Sequence, residues 1–348
     1  MTDIHWYSGT AYDFFISLVV LHHAADFGLR PYWSAGVRQR LSDPHREFLE
    51  RVASFTSVPL DWISSLPEPK DALPVLNIAA GLDPTECFRV LTLPMETPAE
   101  VHAVLQRVSQ QKAISSLEKE LVGRVLGRRN IYIKSSGLDQ LILAWREVER
   151  SSDQLLAALQ EYYSVYFSEE EARIRPGLKS GLEHARRLAR NRSVVTLVEE
   201  LSRGVHFEEI ESAQELTLVP SFWSTPFVFH TQPAEGKTQV VFGCRAAAES
   251  VAPGAELPDT LINALKALAD PTRLRVLRHL SSQPLSPTEL SRLLRLRPPT
   301  VLHHLQTLRL AGLVTIHVSE TGEKRYTSRA ETLDGIFSAV KDFIGNQD

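Results

Sequence analysis

Between Leu296 and Val314 the chain reads LRPPTVLHHLQTLRLAGLV, and few folds can accommodate such a stretch. Pro298 and Pro299 argue against a helix, yet Val301, Leu305 and Leu308 follow at helical spacing and Ala311-Gly312 supplies a stop. The conflict disappears if both prolines stand in the first turn. Backbone N–H groups there have no partner inside the helix, so a missing donor costs nothing. The segment is then a short helix with an abrupt start, one apolar face and a glycine end.

Its neighbours are equally well punctuated. LPDTLINALKALAD reads as a helix that stops at Asp270. DPTRLRVLRHL restarts with Pro271 at its first position and Leu274, Val276, Leu277 and Leu280 as its buried face. SPTELSRLLR opens on Ser286 as N-cap, with Pro287 at the first helical position and Glu289 completing a capping box. Beyond Gly312, LVTIHV and KRYTSR flank SETG as a two-stranded hairpin, and a last helix is expected from about Glu331 to Ile344.

Helix, helix, helix–turn–helix, hairpin, helix is the winged-helix order. The major groove admits one helix. The second helix of the pair therefore needs one face docked on its own domain and another left free. Val301, Leu305 and Leu308 are the docked face. Thr300, Leu302, His303, Gln306 and Thr307 are the free one, with His303 and Gln306 carrying donors and acceptors suited to base edges. His304 reads as a packed or backbone-contacting residue of the same helix.

Charge is concentrated in the same region. From Pro258 to Ala330 there are eleven Lys and Arg against five Asp and Glu, a net of +6 on a chain whose total is −4. A basic segment on an otherwise acidic protein points to a polyanion partner for that segment alone. Arg297, Lys324 and Arg325 are its candidate phosphate contacts.

ALADPTRLRVLRHL, LSPTELSRLL, PTVLHHLQTLRLAGLV and GEKRYTSR together resemble the arsenical-resistance-repressor (ArsR) type of bacterial winged-helix regulator over roughly the last quarter of the chain. The resemblance implies a homodimer paired through the first and last helices of the domain. It also implies two recognition helices in successive major grooves, and repression of transcription until an effector binds. Two departures bear on this. Leu302 stands where the family usually has serine, so a thymine methyl contact replaces a polar one. Arg297 takes the place of a capping Ser or Thr, giving up a cap and adding a phosphate partner. The family's metal sensors carry cysteines in the third helix or His, Asp and Glu ligands in the last. Here those segments read TELSRLLR and ETLDGIFSAVKDFIGNQD, without Cys or His, and no metal or other cofactor is expected.

The remainder of the 348 residues exceeds a single core, which points to a second domain. Residues up to about Gln214 look mainly helical: SLVVLHHAADFG ends at Gly28, SDPHREFLERVASF starts at a capping Ser42, and SDQLLAALQEYYSVYF has helical spacing. SGLEHARRLARNRSVVTLVEELSRG reads as a further helix or pair. VHFEEI, ELTLVPS, PFVFHTQ and TQVVFGCRA then read as a small antiparallel meander. AAAESVAPGAELP is small, Pro/Gly-containing and linker-like. The expected fold class is α+β: a mainly helical N-terminal domain with a small antiparallel sheet at residues 1–245, a linker at 246–258, and a winged helix-turn-helix domain at 259–348. YDFFISLVVLHHAADFGLRPYWSAGV and LTLVPSFWSTPFVF resemble an uncharacterised domain that precedes winged-helix modules in some bacterial regulators.

Two lone cysteines, Cys87 and Cys244, make no disulfide framework. The N-terminal MTDIHWYSGT has no basic leader, and FFISLVVL is too short to span a bilayer, so a cytoplasmic protein without a membrane partner is expected. His22-His23 and His303-His304 are adjacent pairs, which point about 100° apart on a helix and do not both face one ion. Aromatic residues are dense near the N-terminus and around Trp223. Tyr12, Phe15, Trp33, Trp223 and Phe227 are the candidates for lining a pocket that takes a small apolar or aromatic effector. No phosphate loop, Gly-x-Ser-x-Gly or His-Glu-x-x-His motif appears, so an enzyme is not expected. Two alternatives stay open: an enzyme tethered to DNA by the winged helix, and a protein-binding scaffold tethered in the same way.

Overall fold

The computed structural model describes residues 2–29, 31–127, 135–245, 259–319, 321–330 and 332–345. The segment 246–258, read above as a linker, lies outside the described residues. Two compact units emerge. One comprises Gly9–His23 and Pro31–Arg175; the other comprises Met1–Ser8, Ala24–Arg30 and Pro176–Asp348. The contacts thus group the C-terminal region with two short N-terminal pieces and with everything after Pro176, a grouping different from the linear division at 246–258.

The first unit is helical. Its helix Thr10–His22 is buried on almost every side from Thr10 to Ser17, as expected of a helix that is apolar all round. Helix Val148–Tyr162 packs against Asp43–Ala53 and Pro84–Thr92. The buried Thr10 hydroxyl donates to Glu171, which also accepts from Tyr163 Oη at 2.9 Å and Arg175 Nη2 at 3.0 Å. This polar cluster is saturated by its own members and ties the start of Thr10–His22 in place.

The second unit holds both sheets. Their strands are β1 (Asp3–Trp6), β2 (Val205–Phe207), β3 (Glu215–Ser221), β4 (Val228–Ala234), β5 (Lys237–Gly243), β6 (Val314–Val318) and β7 (Lys324–Ser328). The larger sheet has the order β1-β3-β5-β4 and the smaller β2-β6-β7. The expected antiparallel meander is therefore corrected. β1, β3 and β5 run parallel, only β4 is antiparallel to β5, and VHFEEI leaves the group to pair with β6. Burial explains the arrangement. β3 and β5 are almost continuously buried, which suits central parallel strands. β4 is largely exposed, carries Pro233 and slips register between Thr231 and Ala234, which suits an edge.

The C-terminal elements follow the expected order: helices Asp259–Leu268, Pro271–Leu280, Pro287–Leu294 and Pro298–Leu310, the β6–β7 hairpin, and helix Thr332–Gly345. Val276, Leu280, Leu290, Leu294, Val301, Leu305, Leu308 and Val314 share one core. Leu274 does not join it and is 48% exposed. It stands two residues, about 200°, from Val276 on a helix, and so on the opposite face.

Candidate nucleic-acid interface

Each helix of the pair is started by a local device. Ser286 Oγ accepts from the Glu289 N–H at 3.3 Å, and Glu289 accepts from the Ser286 N–H at 2.7 Å, closing the capping box. The Ser286 N–H, its hydroxyl and the Arg325 guanidinium hold the Glu289 carboxyl below the usual carboxylate range. The connecting turn passes through Arg295 in the left-handed region at φ +56. Pro298 and Pro299 then open the second helix with Arg297 as an N-cap that makes no side-chain capping bond. Gly312, at φ +70, ends it.

Val301, Leu305 and Leu308 are buried to within 1% of their surface. At roughly 1.5–3 kcal/mol for each side chain withdrawn from water, they dock the helix firmly on its domain. Arg297, Thr300, Leu302 and His303 are exposed around the first two turns, and Lys324 is exposed on the wing. His304 is buried beside exposed His303, and burial holds its imidazole pKa below the usual value, more than the nearby Asp270 raises it.

The other expected contacts are partly engaged. Thr307 is half-exposed and donates its hydroxyl to the His303 carbonyl at 3.0 Å. Arg325 Nη2 lies 3.1 Å from a Glu289 carboxylate oxygen and 3.2 Å from the Pro284 carbonyl, bracing the wing against the start of Pro287–Leu294. Gln306 Nε2 donates to a carboxylate oxygen of Asp26 at 3.2 Å. The sequence reading did not single out Asp26 as a partner of the recognition helix, nor the role of Arg309. Arg309 is 6% exposed, and its guanidinium donates to the carbonyls of Ser202, Arg203 and Gly204 at 3.2–3.4 Å. Those carbonyls follow helix Val194–Leu201, where unpaired acceptors and the helix dipole favour a cation. Burial lowers the Arg309 pKa to about 10. A signal for this burial exists in the sequence, since Arg309 lies four residues after Leu305 on the docked stripe.

The wing has a third strand. β2 pairs with β6 in parallel, His206 opposite His317, and the Ile316 N–H donates to the Gly204 carbonyl at 2.9 Å. Leu285 bridges to Tyr326 on the other side.

Residues 268–317 match the model of a helix-turn-helix domain. No curated protein and no solved structure matches the chain. A helix-turn-helix domain suggests a DNA-binding regulator, with DNA as its partner. Among the described residues no helix is long and apolar enough to cross a membrane, and no group of three or more His, Cys, Asp or Glu is disposed to hold a metal ion.

The five candidate effector residues fall in both units. Tyr12 is buried with its hydroxyl 3.0 Å from Ser64 Oγ; Phe15 is buried; Trp33 is half-buried against the Tyr166 ring at 6.3 Å. In the other unit Trp223 is buried, and Phe227 is half-buried, edge-on to Phe27 at 5.1 Å. Of the five, only Phe15 lines a cavity of about 40 Å³ in the helical unit, together with Leu18, Val19, His23, Leu49 and Leu159 among others. Next to it, burial, then Arg38 and His23, push His22 down to about 3.

Proposed function

We propose that the chain is a bacterial transcriptional repressor of the ArsR type that binds a palindromic operator as a homodimer in the cytoplasm, and that it is not an enzyme. The observation that carries this reading is helix Pro298–Leu310. Inside a matched helix-turn-helix domain it buries Val301, Leu305 and Leu308 and presents Arg297, Thr300, Leu302 and His303 to solvent. In this reading Arg297 and Lys324 take phosphates, His303 meets a base edge and Leu302 a thymine methyl.

Exposed apolar side chains support pairing with a second copy. Leu265 on Asp259–Leu268 is 44% exposed, and Phe337 and Ile344 on Thr332–Gly345 are 53% and 70% exposed. These are the two helices through which ArsR-type regulators pair. A two-fold protein calls for half-sites about 34–36 Å apart, one helical turn.

The effector belongs to the same reading, and the cavity bounded by Phe15, Val19 and Leu159 is its seat. At about 40 Å³ it is well below the ~150 Å³ known to admit benzene. A compact apolar molecule suits it as it stands, and an aromatic one would need the helices to part.

Selection of bound duplexes from a random-sequence pool with the full chain tests the reading. A palindromic consensus is expected, with log K falling against log[salt] at a slope of about −5 to −7 for a dimer meeting six to eight phosphates. Recovery of no duplex, or binding indifferent to salt, would sink it.

A further inference from the structure

The two halves of the recognition helix differ in what already lies against them. Its first turns are open, whereas the short 3-10 turn Ala24–Phe27 reaches Gln306 in the second half. Gln306 Nε2 donates to the Asp26 carboxylate at 3.2 Å and more loosely to the Asp26 carbonyl at 3.4 Å. Two residues on, Gly28 takes φ +71. A Cβ there would stand 2.7 Å from the Asn263 amide nitrogen and 3.4 Å from Leu310 Cδ2, so glycine is required by conformation and by space. Phe27 is buried and packs edge-on against Phe227, and Leu29 is buried as well. The turn is therefore anchored on the β3–β4 connection and held against the DNA-binding domain.

We propose that the Ala24–Phe27 turn is a built-in competitor with DNA for this helix: the Asp26 carboxylate holds the Gln306 amide that would otherwise meet a base. The proposal rests on the reading of Pro298–Leu310 as the DNA-reading helix. A glutamine reads adenine through one amide N–H and its carbonyl oxygen together, in a fixed bidentate geometry. With Nε2 turned onto Asp26, that geometry is lost. The carboxylate also places a negative charge where a duplex brings one phosphate charge for about every 1.7 Å of its axis. The arrangement described is then the closed member of a two-state pair, and the open member has the turn withdrawn from Gln306. The balance between them sets the apparent affinity for DNA.

The test compares six full-length proteins: wild type, Asp26→Ala, Asp26→Asn, Gly28→Ala, Gln306→Ala and the Asp26→Ala/Gln306→Ala double variant. Each is titrated at one salt concentration against duplexes selected from a random pool by wild type and by Asp26→Ala. Loss of one hydrogen-bonded restraint predicts about 3- to 10-fold tighter binding by Asp26→Ala. That gain should shrink when Gln306 is absent, to the part that comes from removing the carboxylate charge alone. Asp26→Asn keeps the shape and should show a smaller gain, and Gly28→Ala should also tighten binding by wedging the turn from Asn263. Melting temperatures identify any variant that has lost its fold, and Asp26→Asn carries the test if Asp26→Ala is one of them. Unchanged or weaker binding by folded Asp26 variants overturns the proposal and leaves DNA binding intact. The same gain with and without Gln306 also overturns it. Failure of both wild type and Asp26→Ala to recover any duplex overturns the DNA-binding reading as well.

Discussion

The first and second halves of helix Pro298–Leu310 are built on the same stripe of apolar residues, yet they are held by different means. The first half needs only its neighbours: two prolines to start it, Val301 and Leu305 to dock it, and solvent around Thr300 and His303. The second half is gripped from far along the chain. Asp26 takes the amide of Gln306, and the carbonyls of residues 202–204 take the guanidinium of Arg309. Under the proposed function the difference separates presentation from control: one half displays side chains to DNA, and the other is tied to distant residues of its own unit.

The sharpest way to break this comparison is to cut the second half loose. Arg309→Leu takes the guanidinium from the Ser202 and Arg203 carbonyls, while the Gly204 carbonyl keeps the Ile316 N–H, and should cost about 2–4 kcal/mol of stability in urea unfolding. Arg309→Lys should recover only part of the loss, because one ammonium cannot span the three acceptors as a planar fork does. A loss below about 0.5 kcal/mol would mean that the second half is not held through Arg309.

A change confined to the first half should act on DNA alone. Arg297→Ala, which removes no side-chain capping bond, should weaken binding about tenfold for every sequence and flatten the salt dependence by about one phosphate per subunit, at unchanged melting temperature. Sequence-selective weakening would instead place Arg297 on a base.

Ser286→Ala removes the cap of the preceding helix and should cost about 1 kcal/mol, read from the same urea curves. The smallest effect concerns the adjacent histidines. Burial keeps His304 below its usual pKa, so on acidification the unfolded chain takes up this proton first. Stability should therefore fall as pH drops from about 6.5 toward the lower folded value. His304→Leu should flatten that fall.

What could be read in advance follows the same divide. The capping box at Ser286 and Glu289, the prolines at 298 and 299, the stop at Gly312 and the stripe Val301–Leu305–Leu308 all obey rules that span a few residues. The helix, its docked face and the exposure of Thr300, Leu302 and His303 were therefore legible, whereas Gln306 on the same expected free face is engaged, and the position of Arg309 four residues after Leu305 carried a signal that went unread. The partner of Gln306 was not, because Asp26 is 280 positions away and no local pattern links them. The parallel sheet was missed for a related reason. Alternation and turn residues mark a strand but do not say whether it pairs with its sequence neighbour, and β4 alone forms the neighbourly hairpin with β5. Among the aromatics, Trp223 and Phe15 share a residue class yet lie in different compact units, which composition does not foretell.

Strand β2 has a consequence for the chain during its own synthesis. Its partner β6 lies about 110 positions later, so at roughly 5–20 residues per second the growing polypeptide carries Val205–Phe207 without its mate for something like 5–20 s. Conversely, a fragment that begins after 258 would leave one margin of Val314–Val318 with open N–H and C=O groups, a template for self-association. The DNA-binding portion is therefore completed only with a strand made long before it and is ill-suited to a life of its own, so a fragment lacking either part would be a reader without its wing's third strand or no reader at all.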